Sequence, residues 1–580
     1  MTDSVRAASP IDKIANEYVD RIAQLDPIEA TSMGVAGYDH LMTDYSPRGA
    51  AQRASAAREV LRKLDAAENA AAPGTLDEID AVTLAAMRER IGLELRLYAA
   101  GEHERDLNNL ASPLQMRDVF DLMPTETSED WDVIAQRLHS VPIAMAGYLE
   151  QLRIGAANGK APALRQVEVG IEQAKELASP QSFFVDFAAQ AELGAISDDV
   201  KQQVQLGARA ARDAYGRAAE VLREIVPHAP VADAVGRERY EMWSQYFLGA
   251  RVDLEETYEW GWDELNRIID QQKQLAGEIS GPGASIEQAV AQLDADPERQ
   301  LHGTTQLQEW MQQLSDRAVR ELGAEHFDIP EPVRTLECRI APTQNGGIYY
   351  TPPSEDFSRP GRMWWSVPPS VEVFNTWRET TTVYHEGVPG HHLQLGQTIY
   401  RRELLNRWRR LACWVSGHGE GWALYAEKLM DELGYLEDPG DRMGMLDAQR
   451  FRAVRVVLDI GVHLQKPLPA EWGGGTWDAA KAWELLRANA NMPEDFLRFE
   501  LDRYLGWPGQ APSYKVGERL WLEMRRAAEE QAAVNGVEFD QKRFHRRALD
   551  IGSVGLDVLR AALSRKGAVQ RTFPDAYAGS

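Results

Sequence analysis

The chain has 580 residues, 44% of them hydrophobic and 26% charged, with a net charge of −26 at neutral pH. This is the composition of a folded protein long enough for a large core, and so acidic a balance excludes nucleic acid and anionic membrane surfaces as natural partners, since both attract basic patches. Two cysteines, Cys338 and Cys413, are too few for a disulfide framework or a cysteine-rich zinc site, and no apolar run of about 18 residues predicts a membrane span, so cytoplasmic residence is the default expectation.

In chain order, Ile11, Ile14, Ala15, Tyr18, Ile22 and Leu25 recur at helical steps and predict an amphipathic helix over 9–25, closed by Pro27. Gly34, Gly37 and Pro47 mark turns over 30–47. The Ala-, Arg- and Leu-rich stretch 50–69 predicts a helix, and Thr75 to Glu78 has the spacing of a capping box opening the next one. Helical patterning returns over 131–155, 168–179, 198–225, 240–247, 254–275, 285–294 and 305–322. The character changes at Phe327. Residues 328–370 are proline-rich, and 336–341 and 347–351 are the best strand candidates. Prolines at their ends predict edge strands or a small β-hairpin, suited either to pairing with an extended peptide or to a structural role alone.

Helices are expected over 372–386, 391–410, 420–432, 443–465, 476–490, 493–505, 514–535 and 540–565. Without internal repeats or low-complexity linkers, the expected architecture is mainly α. It forms a single helical unit over 10–575, with an N-terminal part (10–325) and a part (326–575) that holds the densest chemistry.

That chemistry is centred on His385-Glu386-Gly387-Val388-Pro389-Gly390-His391-His392. Tetrahedral zinc takes imidazole and carboxylate ligands, and a glutamate directly after a ligating histidine can take a proton from water at the metal. In H-E-x-x-H motifs the second histidine lies one helical turn on, about 6 Å along the same face. Here Pro389 occupies that position. In an unbroken helix His391 would lie off the face and His392 about 10.5 Å along it. Proline cannot donate its amide and glycine tolerates unusual dihedrals, so a two-residue excess at Pro389-Gly390 would restore the spacing to His391 and leave His392 beside the site. Glu420, opening a later helix, can supply a third ligand, or serve only as a carboxylate at a helix N-terminus. Glu427, seven residues on, can orient a ligating histidine from behind.

Together with Glu420-Gly421-Trp422-Ala423-Leu424-Tyr425-Ala426-Glu427, Arg452-x-x-Arg455 and 508–517, these motifs resemble the bacterial family labelled domain of unknown function 885, over nearly the whole chain. The resemblance implies a helical fold related to gluzincin metallopeptidases such as carboxypeptidase Taq and angiotensin-converting enzyme. It implies Zn²⁺ held by His385, His391 and Glu420, with Glu386 as general base and a peptide or small amide as substrate. His463 and Tyr514 are then the candidate oxyanion donors, although His463 reads equally as a core histidine. Lys515, Arg455 and Arg452 are candidates for holding a substrate carboxylate, with a solvated helix face as the plainer reading of the arginines. His392, Tyr349 and Tyr350 are candidates for the substrate side, and ordinary packing explains the tyrosines as well. A zinc amidohydrolase acting on a non-peptide amide and a non-catalytic binding protein are the alternative functions.

Overall fold

Helix starts are written locally in this chain. Ser9 accepts the Asp12 amide while the Asp12 carboxylate accepts the Ser9 amide, and the same reciprocal box recurs at Asp77/Asp80, Thr127/Asp130 and Ser285/Gln288. The box expected at Thr75–Glu78 therefore lies two residues later. Pro27, expected only to close a helix, is also the first residue of a short new one, capped by Asp26.

The structure is a computed structural model and describes residues 6–72, 74–194, 196–341 and 347–564. The expected helix end at Arg565 and the expected unit's last residues, 565–575, lie outside the described residues. The N-terminal helices are α1 (Pro10–Leu25), α2 (Pro27–Ser32), α3 (Pro47–Ala70), α4 (Glu78–Ala100), α5 (Ser128–Ala157) and α6 (Leu164–Ala178). They continue with α7 (Phe183–Leu193), α8 (Asp198–Ile225), α9 (Arg237–Leu248), α10 (Leu254–Ser280), α11 (Ile286–Ala295) and α12 (Gly303–Glu325). Beyond the strands come α13 (Thr376–Glu386), α14 (His391–Tyr400), α15 (Ser416–Glu432), α16 (Pro439–His463) and α17 (Ala479–Ala488). The chain then forms α18 (Glu494–Gly506), α19 (Ser513–Val534), α20 (Gln541–Ile551) and α21 (Leu556–Ser564). The fold is mainly α, as the periodicity predicts. The single helix expected over 540–565 is two, parted at Gly552, whose φ of 73° is in the left-handed region.

Among the described residues five short strands accompany the helices. β1 (Gln300–His302) pairs antiparallel with β5 (Val373–Asn375), so the helix expected from 372 begins only at Thr376. β2 (Leu336–Ile340) and β3 (Ile348–Thr351) are both edges, as expected, but they do not pair with each other. β4 (Gly361–Trp365) lies between them, parallel to β2 and antiparallel to β3. Its Met363 and Trp365 point inward onto Leu307 and Met311 of α12.

Two larger cores position everything else. One gathers Trp131, Leu138, Tyr148, Phe184 and Tyr215 from α5, α7 and α8. The other runs from Ile11 to Ala562 and joins the first helices to the last. Within it helices meet at glycines. A Cβ at Gly444 of α16 would lie 1.9 Å from the Trp377 carbonyl oxygen of α13, and one at Gly421 of α15 would lie 2.5 Å from the Gly517 backbone of α19. Side chains at these crossings would force apart α13 from α16 and α15 from α19, four of the helices that build the site.

His545 belongs to this core. It is buried, stacks on Phe327 at 4.7 Å, and its Nε2 accepts the Tyr425 hydroxyl at 2.7 Å. Burial pushes its pKa from 6.5 down to about 3. The folded form thus keeps the imidazole neutral, and its contribution is present in full above pH 6.5 and lost as pH falls toward 3. At pH 5 the loss is about 2 kcal/mol. Denaturant unfolding of wild type and His545→Gln at pH 7.5 and pH 5 should show the stability difference moving by about that amount in favour of the variant; no movement would contradict the buried neutral state.

Candidate metal centre

The interrupted motif is built by a backbone that folds back on itself. α13 ends at Glu386, and Gly390 donates its amide to the Tyr384 carbonyl at 3.1 Å, six residues back instead of the four of an α-helix. The excess is two residues, as the spacing suggests, but the helix does not continue through a bulge. It stops, and α14 starts afresh at His391. A Cβ at position 390 would lie 1.8 Å from the His385 carbonyl oxygen, so only glycine fits. Trp422, fully buried on α15, donates its indole N–H to the Pro389 and Gly390 carbonyls at 2.8 and 3.2 Å. The Gly390 carbonyl also accepts the Gln394 amide at 3.2 Å, so the indole bonds the carbonyls on both sides of the new helix start.

The outcome is a cluster. His385 Nε2 and His391 Nε2 each lie 3.4 Å from Glu420 Oε2, and one ligand atom from each of the three residues falls within 4.8 Å of the others. The two rings stand edge to face at 4.9 Å. His385 Nδ1 meets Glu427 Oε1 at 2.7 Å, and Thr381 donates to Glu427 Oε2 at 2.6 Å. His391 Nδ1 is buried without a partner among the described residues, which orient only His385 from behind.

The electrostatics follow from burial and charge. Burial alone would push His385 down, but its hydrogen bonds to Glu420 and Glu427 outweigh this and push it up to about 10. Burial would push Glu420 up, but the neighbouring His391 and His385 hold it well below the usual carboxylate range. Glu386 moves the other way. It is 7% exposed, burial pushes its pKa up, and the two histidines offset that only in part. Its Oε2 has no hydrogen-bond partner among the described residues. Three carboxylates, Glu386 and Glu427 buried and Glu420 partly exposed, therefore face two imidazoles. The donor set of two imidazole nitrogens and one carboxylate fits zinc, and a dication would balance the charge.

The family model described as "Bacterial protein of unknown function (DUF885)" matches residues 27–563. The chain belongs to this family. No curated protein matches it. A solved structure described as "the putative lipoprotein from Colwellia psychrerythraea" is similar with a TM-score of 0.79 at 22% identity, over 96% of this chain and 99% of that one. Another, "a putative lipoprotein of unknown function from Shewanella oneidensis", is similar with a TM-score of 0.71 at 17% identity, over 96% and 100%. At these identities the likeness shows a shared fold.

Around the cluster, several expected roles change in this DUF885 chain. His392 does not face a substrate: it is fully buried, its Nε2–H donates to the Val333 carbonyl at 2.7 Å and its Nδ1 accepts the Tyr350 hydroxyl at 2.9 Å. Tyr350 is thereby committed too. Tyr349 stacks on Trp364 on the outer face of the sheet. His463 is no oxyanion donor. It is fully buried, donates Nε2–H to the Tyr504 carbonyl at 3.1 Å, and packs on Tyr240. Burial pushes it down to about 4, which the bond to the Tyr504 carbonyl opposes only in part; Asp459 Oδ1 lies 3.7 Å from the same nitrogen. Lys515 is spent on Glu518 at 2.5 Å and Glu264 at 3.0 Å. Arg455 is spent on Glu500 at 3.0 Å and supports the Tyr514 ring from 5.1 Å.

Two expected groups stay open toward the cluster. Tyr514 is half-buried, and after burial the nearby Glu420 charge is the next largest influence raising its pKa. Arg452 is half-buried, and among the described residues it makes no ion pair and bonds only to the Ala448 carbonyl at 3.3 Å. Its charge acts on both Glu386 and Glu427. The residue reading overlooked Thr381 and Trp414. Thr381, one turn before His385, carried a legible signal, because i and i+4 share a helix face.

Glu427→Gln keeps the shape but removes the charge behind His385. It should weaken zinc binding about 10- to 100-fold in a chelator competition assay, and Thr381→Val should weaken it less. Unchanged affinity in Glu427→Gln would contradict the orienting role.

Proposed function

We propose that this protein is a zinc-dependent hydrolase that cleaves short peptides carrying a free carboxylate. The observation that carries the reading is Glu386: a buried carboxylate with an uncommitted oxygen and a raised pKa, directly beside the His385–His391–Glu420 cluster. An unpartnered buried carboxyl is costly, and this one lies next in sequence to His385, where a proton acceptor for metal-bound water would stand. Zinc held by the three residues would activate water at neutral pH and polarise the substrate carbonyl.

The chain's own groups supply the rest. Glu386 accepts the proton of the attacking water and passes it to the departing amine. Tyr514 donates its hydroxyl to the oxygen that gains charge. Arg452 pairs with the substrate carboxylate, which brings the charge that the guanidinium lacks within the fold. The motif likeness to gluzincin peptidases supports this reading. A second reading, a zinc amidohydrolase acting on an amino-acid conjugate, is favoured by the same Arg452, since such conjugates also carry a carboxylate.

Glu386→Gln should retain one zinc per chain and lose about 10²- to 10⁴-fold in kcat/KM on a short-peptide library. Full activity in that variant, or no zinc in wild type, would overturn the proposal. Arg452→Gln should raise KM about 10- to 100-fold for peptides with a free C-terminus and leave C-terminally amidated peptides unaffected. An equal effect on both would remove Arg452 from carboxylate binding.

A further inference from the structure

Of the sixteen tryptophans in the chain, Trp414 alone is exposed, at 48%. Large aromatic rings ordinarily contribute their area to a core, and this one is displayed at the metal cluster. Its ring lies 6.2 Å from that of His391, inclined at 56°. On its other side it covers the first turn of α15. A Cβ at Gly419 would fall 2.2 Å from Cη2 of the indole and 2.8 and 2.9 Å from Cζ3 and Cζ2. Gly419 immediately precedes Glu420, so the glycine makes room for the indole at the point where the cluster's carboxylate leaves the backbone.

The display is rigid. Cys413 and Val415 on either side are buried, and the Val415 carbonyl accepts the His418 and Gly419 amides at 3.0 Å each. The backbone is thus pinned at the start of α15 while the indole stays in solvent. Between His391 and Gly419 the ring forms an apolar wall at the rim of the cluster.

We propose that Trp414 is a specificity-determining residue that selects substrates with an aromatic or large apolar side chain next to the bond that is cut. This rests on the metal-hydrolase reading above. A planar side chain there would exchange water for the indole face, and an aromatic pair in an offset or edge-to-face arrangement adds to the area it covers. The Trp414 wall and the Arg452 charge flank the cluster with different chemistry, one apolar and one cationic, and so favour apolar residues over polar ones at the first position and carboxylates at the second.

Hydroxamates of amino acids test this through binding, without relying on turnover. Calorimetry on the zinc-loaded protein should give L-phenylalanine hydroxamate about 10-fold tighter than glycine hydroxamate. In Trp414→Ala that preference should collapse to near unity, with glycine hydroxamate affinity, zinc content and melting temperature kept. Trp414→Phe should retain most of it. A preference that survives in Trp414→Ala, or is absent from wild type, overturns the assignment. Loss of zinc or of glycine hydroxamate binding in Trp414→Ala makes the indole a structural support and also overturns it. If wild type takes up no zinc and binds neither hydroxamate, the metal reading itself has failed.

Discussion

The site depends on one close approach of backbone to backbone. The carbonyl oxygen of His385 occupies the space that a side chain at position 390 would need. That contact lets the chain turn back within four residues and start a second helix with His391 beside His385. The turn is held from outside by Trp422, whose indole donates to the Pro389 and Gly390 carbonyls. Trp422 sits two residues after Glu420 and five before Glu427. The helix that braces the turn therefore also delivers Glu420 to the cluster and the Glu427 carboxylate behind His385. Packing, hydrogen bonding and the donor set are parts of a single arrangement.

Charge within the arrangement is divided unevenly. Lys515, Arg455 and Arg503 lie near the site but are matched by Glu264, Glu518 and Glu500. His392 and His463 are kept neutral by burial and donate to backbone carbonyls. What remains without a matching charge or full hydrogen bonding near the site, among the described residues, is the Glu386 carboxylate and the guanidinium of Arg452. A buried group held without a partner is costly, and these groups converge on one place. That convergence separates a site from a packing network such as Arg455–Glu500–Arg503, where every charge is answered.

Much of this was legible in the sequence, for identifiable reasons. The helices were, because their apolar spacing is local; so was the His385–His391 pairing, because Pro389 and Gly390 announce a two-residue excess. Glu420 and Glu427 share a helix face seven residues apart, and that too is local. The roles of Lys515, Arg455, His392 and His463 were not legible, because their partners come from distant elements: Glu264 lies 251 positions before Lys515, and Val333 lies 59 before His392. β4 escaped notice because five residues with two adjacent tryptophans carry little alternation until Met363 and Trp365 are seen against α12. Trp414 reads in sequence as one more core aromatic, and only its position over Gly419 sets it apart.

The central claim is that a zinc ion is held by His385, His391 and Glu420 across the break between α13 and α14. Anomalous diffraction at the zinc edge from crystals grown with zinc tests it most directly. The account predicts one peak about 2.0–2.2 Å from Nε2 of His385, Nε2 of His391 and a carboxylate oxygen of Glu420. A peak coordinated by His392, or no peak between these three residues, would contradict it.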